Sequence, residues 1–181
     1  MITNEEIVSA LQQVLKGSDV EQFADVLRKH KKNKVWICGN GGSASNSLHL
    51  ASDMTSLGFD IVCMNANISV ITALTNDFGW ESVYIRQMTH FKSADVLIVI
   101  SVHGGVVRQF TESSKVWSDN LVRACKYAKE KEGIVLGLLG GNGGEIKGIA
   151  DLSIVVPNDS AYVVEGIHSV LAHLICSKLK E

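Results

Sequence analysis

The sequence predicts a doubly wound α/β fold with a five-stranded parallel sheet and two extra helices at its N-terminal end. From residue 35 onward, five apolar runs alternate with segments whose apolar residues follow a helical period. The runs are continuous rather than alternating, which is typical of strands covered on both faces by helices. Two amphipathic segments precede the first run and supply the extra helical pair.

The first helix is predicted over residues 3–16, because Thr3 and Glu6 have the spacing of a capping box and the following apolar residues recur at helical intervals. A break at residues 17–19 separates it from a second helix, which ends in a basic run at residues 28–34. A nucleic-acid contact is conceivable there, but cations at a helix C-terminus favour the helix dipole and stay solvated. We interpret the run as a solvated helix end.

The rest of the chain supplies the sheet and its covering helices. The predicted strands are residues 35–38, 61–64, 95–101, 134–139 and 152–156. The predicted helices are residues 43–57, 67–76, 80–90, 118–131, 144–149 and 160–180. This order predicts a flavodoxin-like sheet, in which ligands bind beyond the carboxyl ends of the strands. We expect one domain over residues 1–181, with a helical pair at 1–34 and an α/β core at 35–181.

Composition limits the classes of function. The chain has 181 residues, of which 46% are hydrophobic and 20% charged, as in ordinary globular proteins. A net charge of −2 and an aromatic fraction of 6% give no basis for nucleic-acid binding. No apolar run approaches the roughly 20 residues that span a bilayer, and the N-terminus lacks a signal-peptide pattern. Four scattered cysteines favour a reducing compartment, so we expect a cytoplasmic protein without nucleic-acid or membrane partners.

The turn after the first strand is a candidate anion site. Residues 39–43 have the sequence G-N-G-G-S and precede a helix, so free backbone N–H groups and a positive dipole end meet there. We expect a phosphate or sugar phosphate to bind at Asn40, Gly41, Gly42 and Ser43, with Ser43 as the helix N-cap. A dinucleotide is disfavoured because the spacing is not G-x-G-x-x-G. A purely structural turn is the remaining alternative.

Two further glycine-containing turns follow later strands. Residues 101–105, with the sequence S-V-H-G-G, offer a hydroxyl and glycine N–H groups that would complete the anion site, with a plain connecting turn as the alternative. The segment 106–117 delays the next helix and suggests a rim or lid element. Residues 137–144 hold no nucleophile or acid, so we interpret this third cluster as turn chemistry.

Histidines and carboxylates mark two helices. His49 and Asp53 are four residues apart and share a helix face, while Glu165 and His173 lie on the last helix on either side of His168. Such groups can act as general acids and bases or as metal ligands. Eight helical residues rise about 12 Å, so Glu165 and His173 can share one ion only across a subunit interface. A buried core histidine is the alternative for His173, which has apolar neighbours in sequence.

With these residues in view, the chain resembles the sugar isomerase (SIS) domain family, and within it the phosphoheptose isomerases. The resemblance covers nearly the whole chain. The segments that carry it are Gly39–Ser43 with His49, Leu74–Gly79 followed by Arg86–Gln87, the strand at 95–101, and Glu165–His173.

The resemblance implies an aldose–ketose isomerisation through an enediol, between sedoheptulose 7-phosphate and a heptose 7-phosphate. It implies catalytic roles for Asp53 and His173, and a homotetramer whose active sites are shared between subunits. The apolar faces of the first two helices and the last helix also favour an oligomer. The implied ligands of a zinc ion, which some members hold, are His49, Asp53, Glu165 and His173. The implied substrate contacts are Asn40, Gly41, Gly42, Ser43, Asp77, Ser101, His103 and Ser118.

The chain departs from the family pattern at several of these positions. Asp53 stands where the family usually has glutamate, and Glu165 stands where it usually has glutamine, which makes the site more acidic and a better metal site. The usual S-T-S-G-N phosphate loop is S-V-H-G-G at residues 101–105, with His103 as a substitute donor. The serine that follows that loop reappears as Ser118. An arginine is missing from residues 55–59.

Three functions follow as hypotheses. The first is an isomerase of a phosphorylated sugar, motivated by the two glycine turns together with Asp53 and His173. The second is a non-catalytic sensor or adaptor that binds a sugar phosphate; the retention of Asp53 and His173 argues against it. The third is a nucleotide-dependent enzyme.

Overall fold

The structure is a computed structural model that describes residues 2–105, 107–110 and 113–181, with residues 107–110 and 113–116 described by their backbone. The strands are β1 (Val35–Gly39), β2 (Ile61–Cys63), β3 (Val96–Ser101), β4 (Val107–Phe110), β5 (Ser113–Val116), β6 (Ile134–Gly140) and β7 (Leu152–Val156). The helices are α1 (Asn4–Leu15), α2 (Asp19–Lys29), α3 (Gly42–Ser56), α4 (Ile68–Phe78), α5 (Asp119–Glu130), α6 (Gly144–Ile149) and α7 (Ala161–Lys178).

Five strands form one parallel sheet in the order β2-β1-β3-β6-β7. When the five strands of this sheet are numbered without the separate β4–β5 pair, their order is 2-1-3-4-5, which is the flavodoxin-like order that the sequence predicts. The doubly wound fold is confirmed. The order reverses at β1, which pairs with β2 on one side and β3 on the other. The turns that follow β1 and β3 therefore lie side by side at the carboxyl edge, where ligands of such sheets bind.

Two hydrophobic cores cover the two faces of the sheet. Along β1, Val35 and Ile37 pack into the core that α1, α2, α3 and α7 cover. Trp36 and Cys38 point to the other core, with α5, α6 and the segment at 83–91. Because both faces are buried, every residue of β1 is apolar or glycine and less than 9% exposed. This explains the continuous apolar runs.

The N-terminal helices form as predicted. The Thr3 hydroxyl accepts a hydrogen bond from the Glu6 N–H at 3.2 Å, and the Glu6 carboxylate accepts one from the Thr3 N–H at 2.9 Å, which completes the capping box. Both helices pack in the same core as α7. Treating residues 1–181 as one domain, with the parts 1–34 and 35–181, stays a prediction.

The predicted helix over residues 80–90 is wrong. Gly79 ends α4 with φ of +82°, and only Trp80–Ser82 forms a short 3-10 turn. Turns then continue the chain, among them the bond from the Gln87 N–H to the Tyr84 carbonyl at 2.9 Å. These turns bury Tyr84 and Met88 without a regular helix. The other predicted helices and strands agree with the observed ones to within one or two residues at either end.

In the described part of the segment 106–117, β4 and β5 pair antiparallel with Val107 opposite Val116, and the sequence did not predict these strands. Residues 106, 111 and 112 of the predicted rim element lie outside the described residues. A lid role for this segment stays a prediction. Among the residues that the structure describes, no helix combines the length and apolarity needed to cross a membrane.

Candidate active site

The first turn brings β1 and α3 into close contact. A Cβ atom on Gly39 would lie 2.6 Å from the Ser43 carbonyl oxygen, so only glycine allows this approach. Gly41 has φ of +59° and is the N-cap, and α3 begins at Gly42. The prediction that Ser43 caps the helix is therefore wrong: it is the second residue of α3 and is only 2% exposed. The tight turn at Gly41 starts the helix one residue before the serine.

An amide network holds this turn from behind. The side chains of Asn40 and Asn120 donate to each other's carbonyl oxygens, at 2.9 and 3.0 Å. The Tyr84 hydroxyl donates to the Gly39 carbonyl at 2.6 Å, and Asn65 both donates to that carbonyl and accepts from the Gly39 N–H. Burial raises the pKa of the Tyr84 hydroxyl well above its ordinary value, so it stays a donor. The Asn40 side chain therefore already has protein partners.

Sequence reasoning missed Tyr84, Asn65 and Asn120. Asn65 follows β2 and Asn120 lies in the first turn of α5, so both stand at the carboxyl edge of the sheet. A polar residue shortly after an apolar strand is the signal that could have pointed to Asn65. Tyr84 carried no such signal, because it lies in the segment that was assigned to a helix.

The second turn is also held by the protein. Ser101 is 4% exposed, and its hydroxyl accepts from the Gly104 N–H at 3.0 Å. A Cβ on Gly104 would overlap the backbone of Gly143, so the second and third glycine clusters touch through their main chains. This close approach agrees with the interpretation of residues 137–144 as turn chemistry.

The structure describes three other predicted substrate contacts. The His103 ring lies 5.8 Å from the Trp117 ring and is partly exposed. Ser118 is half-buried and precedes α5 with φ of +62°. Asp77 is exposed on α4 and accepts from the Asn76 side chain at 2.9 Å.

His49, Asp53 and His173 converge between α3 and α7. The Nε2 atoms of His49 and His173 are 2.8 Å apart, and Asp53 Oδ2 lies 3.5 Å from the first and 3.9 Å from the second. The side chains are 52%, 34% and 58% exposed, in the order His49, Asp53 and His173. The alternative of a core histidine at position 173 is therefore wrong. The polar faces of α3 and α7 meet at the protein surface.

The trio has the composition and spacing of a metal site. A tetrahedral zinc ion, with bonds of about 2.0 to 2.2 Å to nitrogen and oxygen, places its ligand atoms roughly 3.3 Å apart. The three separations in the trio bracket that value, and its ligand atoms lie within 4.8 Å of one another. The residues present therefore fit a zinc-like ion.

Glu165 lies away from this trio in the same chain. Its carboxylate lies against Gly42, where a Cβ would overlap it, and its carbonyl accepts from the Asn46 side chain at 2.9 Å. Glu165 is thus at the first turn, while His173 is two helical turns further along α7. Both residues lie on the continuous helix α7, for which a rise of about 12 Å over eight residues is expected.

His168 is the buried histidine of α7. It is 0% exposed, and its Nε2–H donates to the Leu139 carbonyl at 3.1 Å. Its Nδ1 has no hydrogen-bond partner among the described residues. Burial lowers the pKa of His168 to about 4, against a smaller opposing effect of that hydrogen bond, so the ring is neutral at neutral pH.

The trio lines a groove of about 360 Å³. The residues that line it are His49, Asp53, Ser56, Leu57, His173, Cys176, Ser177 and Lys180. Burial, followed by the nearby Asp53 charge, raises the pKa of the Cys176 thiol to about 11, while Lys180 acts in the opposite direction. The groove therefore offers two imidazoles, a carboxylate and a thiol.

Comparison with known proteins identifies the class. No family model matches the chain. The chain is 34% identical over 179 residues to a phosphoheptose isomerase of Helicobacter pylori, covering 95% of this chain and 85% of that protein. It is 32% identical over 182 residues to a phosphoheptose isomerase of Clostridium acetobutylicum, covering 93% and 87%.

Solved structures agree with these relatives. A phosphoheptose isomerase from Neisseria gonorrhoeae has a TM-score of 0.85 to this chain at 29% identity, covering 97% of this chain and 93% of that one. One from Francisella tularensis has the same TM-score at 23% identity, which shows a shared fold. The chain belongs to the phosphoheptose isomerase family, and the resemblance seen in its motifs is confirmed.

Proposed function

We propose that this protein is an aldose–ketose isomerase that interconverts sedoheptulose 7-phosphate and a heptose 7-phosphate. The observation that carries the proposal is the convergence of His49, Asp53 and His173 in one groove of a chain from the phosphoheptose isomerase family. Isomerisation needs a base and an acid that exchange protons with adjacent atoms of the sugar. A carboxylate and an imidazole side by side supply that pair.

Asp53 and His173 are the proposed acid–base pair. In the ketose-to-aldose direction, one of them takes the proton from the carbon next to the carbonyl and leaves an enediol. A proton is then delivered to the former carbonyl carbon, and the hydroxyl proton moves between the two oxygens, so no atom is gained or lost. The 3.9 Å between Asp53 Oδ2 and His173 Nε2 lets both groups reach neighbouring atoms of one substrate.

The phosphate end of the substrate is proposed to bind at the two turns. The side chains of Asn40 and Ser101 are already hydrogen-bonded within the protein, and so are the N–H groups of Ser43 and Gly104. We infer that other backbone N–H groups of the two turns supply most of the anion contacts. Ser43, Asp77, His103 and Ser118 stay proposed as further substrate contacts. The start of α3 lies about 10 Å along the helix from His49, which suits a sugar with its phosphate and its carbonyl at opposite ends.

We also propose that the trio holds zinc. His49, Asp53 and His173 of one chain would be its ligands, and Glu165 could join them only from a neighbouring copy. When bound, zinc acts as a Lewis acid toward the oxygens of the sugar. An atom that holds the ion has no lone pair free for a proton, so with zinc bound the proposed proton transfers would use the other carboxylate oxygen or ring nitrogen of Asp53 and His173.

A homotetramer with shared active sites is the proposed assembly. Large apolar side chains are exposed on the same two helices as the trio: Leu48 at 43%, Val170 at 40% and Tyr162 at 82%. Exposed apolar surface of this kind favours burial against another copy. All four cysteines are free, which supports the proposal of a reducing, cytoplasmic location.

The test is a direct assay of the purified protein with sedoheptulose 7-phosphate, with and without added zinc. We expect turnover together with exchange of the substrate's α-proton with solvent deuterium. A protein that shows neither turnover nor exchange with ketose phosphates of five to seven carbons is not an isomerase of this class. Tight binding without exchange would instead support the sensor or adaptor function.

A further inference from the structure

The trio of His49, Asp53 and His173 has a fourth donor beside it. Cys176 lines the same groove, is 6% exposed and forms no disulfide. It follows His173 by three residues on α7, so the two side chains share one face of the helix. The groove therefore has a soft sulfur donor one helical turn beyond the imidazole.

The two helices present matched pairs of donors. His49 and Asp53 are spaced i,i+4 on α3, and His173 and Cys176 are spaced i,i+3 on α7. Ligand pairs at such spacings, projecting from facing helices, are a recurrent way to build a metal site inside a helical layer. Two such pairs supply the four ligands of a tetrahedral ion.

The other residues of the groove do not offer an equivalent donor. Ser56 and Ser177 carry neutral hydroxyls, and the Ser56 hydroxyl already donates to the Ser52 carbonyl at 3.2 Å. Lys180 is a cation at neutral pH. Thiolate sulfur is a preferred ligand of zinc, together with imidazole and carboxylate oxygen. Within the groove, Cys176 is the fourth residue whose chemistry suits such an ion.

We propose that Cys176 is the fourth protein ligand of the metal ion at His49, Asp53 and His173. This inference rests on the proposed metal site of the previous section. The nitrogen and oxygen donors already form a close trio within 4.8 Å, which the sulfur has not joined. Cys176 packs against the core at the edge of the groove, so the proposal requires its side chain to turn toward the trio when the ion binds. The S–H proton passes to the buffer as the metal–sulfur bond forms.

A ligand set drawn from one chain has two consequences. The ion no longer depends on Glu165 of a neighbouring copy, whose counterpart in the same chain lies against Gly42. A thiolate also makes the site softer and favours zinc or cobalt over magnesium or manganese. Zinc sites can expand to five ligands, so a fourth protein ligand leaves room for a substrate oxygen.

The test is the absorption spectrum of the full-length protein loaded with Co²⁺ after removal of bound metal with a chelator. We expect one ion per chain, visible bands of a tetrahedral ion, and the near-ultraviolet charge-transfer band of a cobalt–thiolate bond. Cys176→Ser should lose the charge-transfer band. Its affinity for Co²⁺ should fall by at least about 10- to 100-fold, which is the usual loss when a residue that only supports a metal ligand is removed. Cys176→Ala provides a second variant.

Cys63→Ser is the matched control, because Cys63 is a half-buried thiol that does not line the groove. This variant should keep both the band and the affinity. Tetrahedral Co²⁺ bands without a charge-transfer band in the unmodified protein would overturn the role of Cys176 and leave the trio as the metal site. Absence of Co²⁺ binding would overturn both, while the isomerase assay would still test the activity separately.

Discussion

The two ends of α3 differ in how their polar groups are used. At the start of the helix, Asn40, Asn120 and Tyr84 form a closed set of hydrogen bonds with the backbone of the turn. Further along, His49 and Asp53 are about half and one-third exposed, and they meet His173 across a groove. The polar groups at the start of α3 are thus hydrogen-bonded within the protein, whereas those of the trio are exposed at the groove.

Burial explains this difference. A buried polar group without a partner costs about 1 to 3 kcal/mol, so the groups behind the turn must bond to one another. Their side chains then shape the backbone and have little capacity left for a ligand. The exposed trio carries no such penalty, and water, an ion or a substrate can take its donor positions. The comparison supports the proposed division of roles, in which the turn positions the substrate and the trio performs the chemistry.

The largest effect is expected on turnover, from a change in the exposed trio. His173→Ala should lower kcat for sedoheptulose 7-phosphate by about 10²- to 10⁴-fold, the contribution of a positioned acid or base. Size-exclusion chromatography should show an unchanged assembly. His90→Ala, at an exposed histidine outside the groove, is the control and should keep full activity. Unchanged kcat in His173→Ala would place the chemistry elsewhere and remove the contrast between the two ends.

The second effect concerns the buried histidine of the same helix. His168 has a folded-state pKa of about 4, below the value of about 6.5 in an unfolded chain. The unfolded state therefore binds more protons between these values, and stability falls as the pH drops through that window. We expect a loss of about 3 kcal/mol in unfolding free energy from about pH 7 to pH 4.

Urea unfolding at several pH values measures this loss. His168→Gln should have a smaller acid dependence, because its amide can still donate to the Leu139 carbonyl but does not titrate. Equal acid dependence in His168→Gln and the original protein would mean that His168 is not held neutral.

The third effect tests the hydrogen-bond network at the start of α3. Asn120→Ala removes both hydrogen bonds between the Asn120 and Asn40 side chains and leaves the Asn40 amide short of a partner. We expect a loss of about 2 kcal/mol in unfolding free energy, measured by urea denaturation. Asn76→Ala, on the exposed surface of α4, should change stability by no more than about 0.5 kcal/mol. Similar losses in both variants would contradict the assignment of a buried network.

The smallest effect is expected for Tyr84→Phe. The Tyr84 hydroxyl lies within hydrogen-bond distance of two acceptors, the Gly39 carbonyl at 2.6 Å and the Asn40 side-chain oxygen at 3.0 Å. In the variant the first still accepts from Asn65 and the second from Asn120, so neither acceptor is left unpaired. We therefore expect a loss of about 1 kcal/mol in thermal or urea unfolding. Tyr162→Phe is the control, since Tyr162 is 82% exposed. A loss larger than that of Asn120→Ala would show that the hydroxyl, rather than the amide pair, holds the turn.

The sheet and most helices could be predicted because burial on both faces leaves a direct mark in the sequence. Val35, Trp36, Ile37 and Cys38 are all apolar since each faces one of two cores. The segment at 80–90 misled the prediction because its apolar residues are buried by consecutive turns, and Gly79 with positive φ ended the helix before it. Apolar spacing alone does not distinguish those two ways of burying side chains.

The site was predictable only in its local parts. The pairing of His49 with Asp53 follows from helical spacing, and so does the separation of Glu165 from His173. The joining of His173 to the first pair came from the family resemblance, because no local rule relates residues 124 positions apart. The network of Asn40, Asn65 and Asn120 was missed for the same reason, since its members meet only when distant turns come together.

The contact between His49 and His173 also makes the complete trio depend on the docking of α7 against α3. Contacts between residues 124 positions apart require a large loop to close before they contribute any stability. A chain whose α7 has not docked offers an ion only the pair on α3. An ion that binds the complete trio stabilises the docked state through mass action. Metal supply would then influence how much of the newly made chain reaches its final structure, in addition to any influence on turnover.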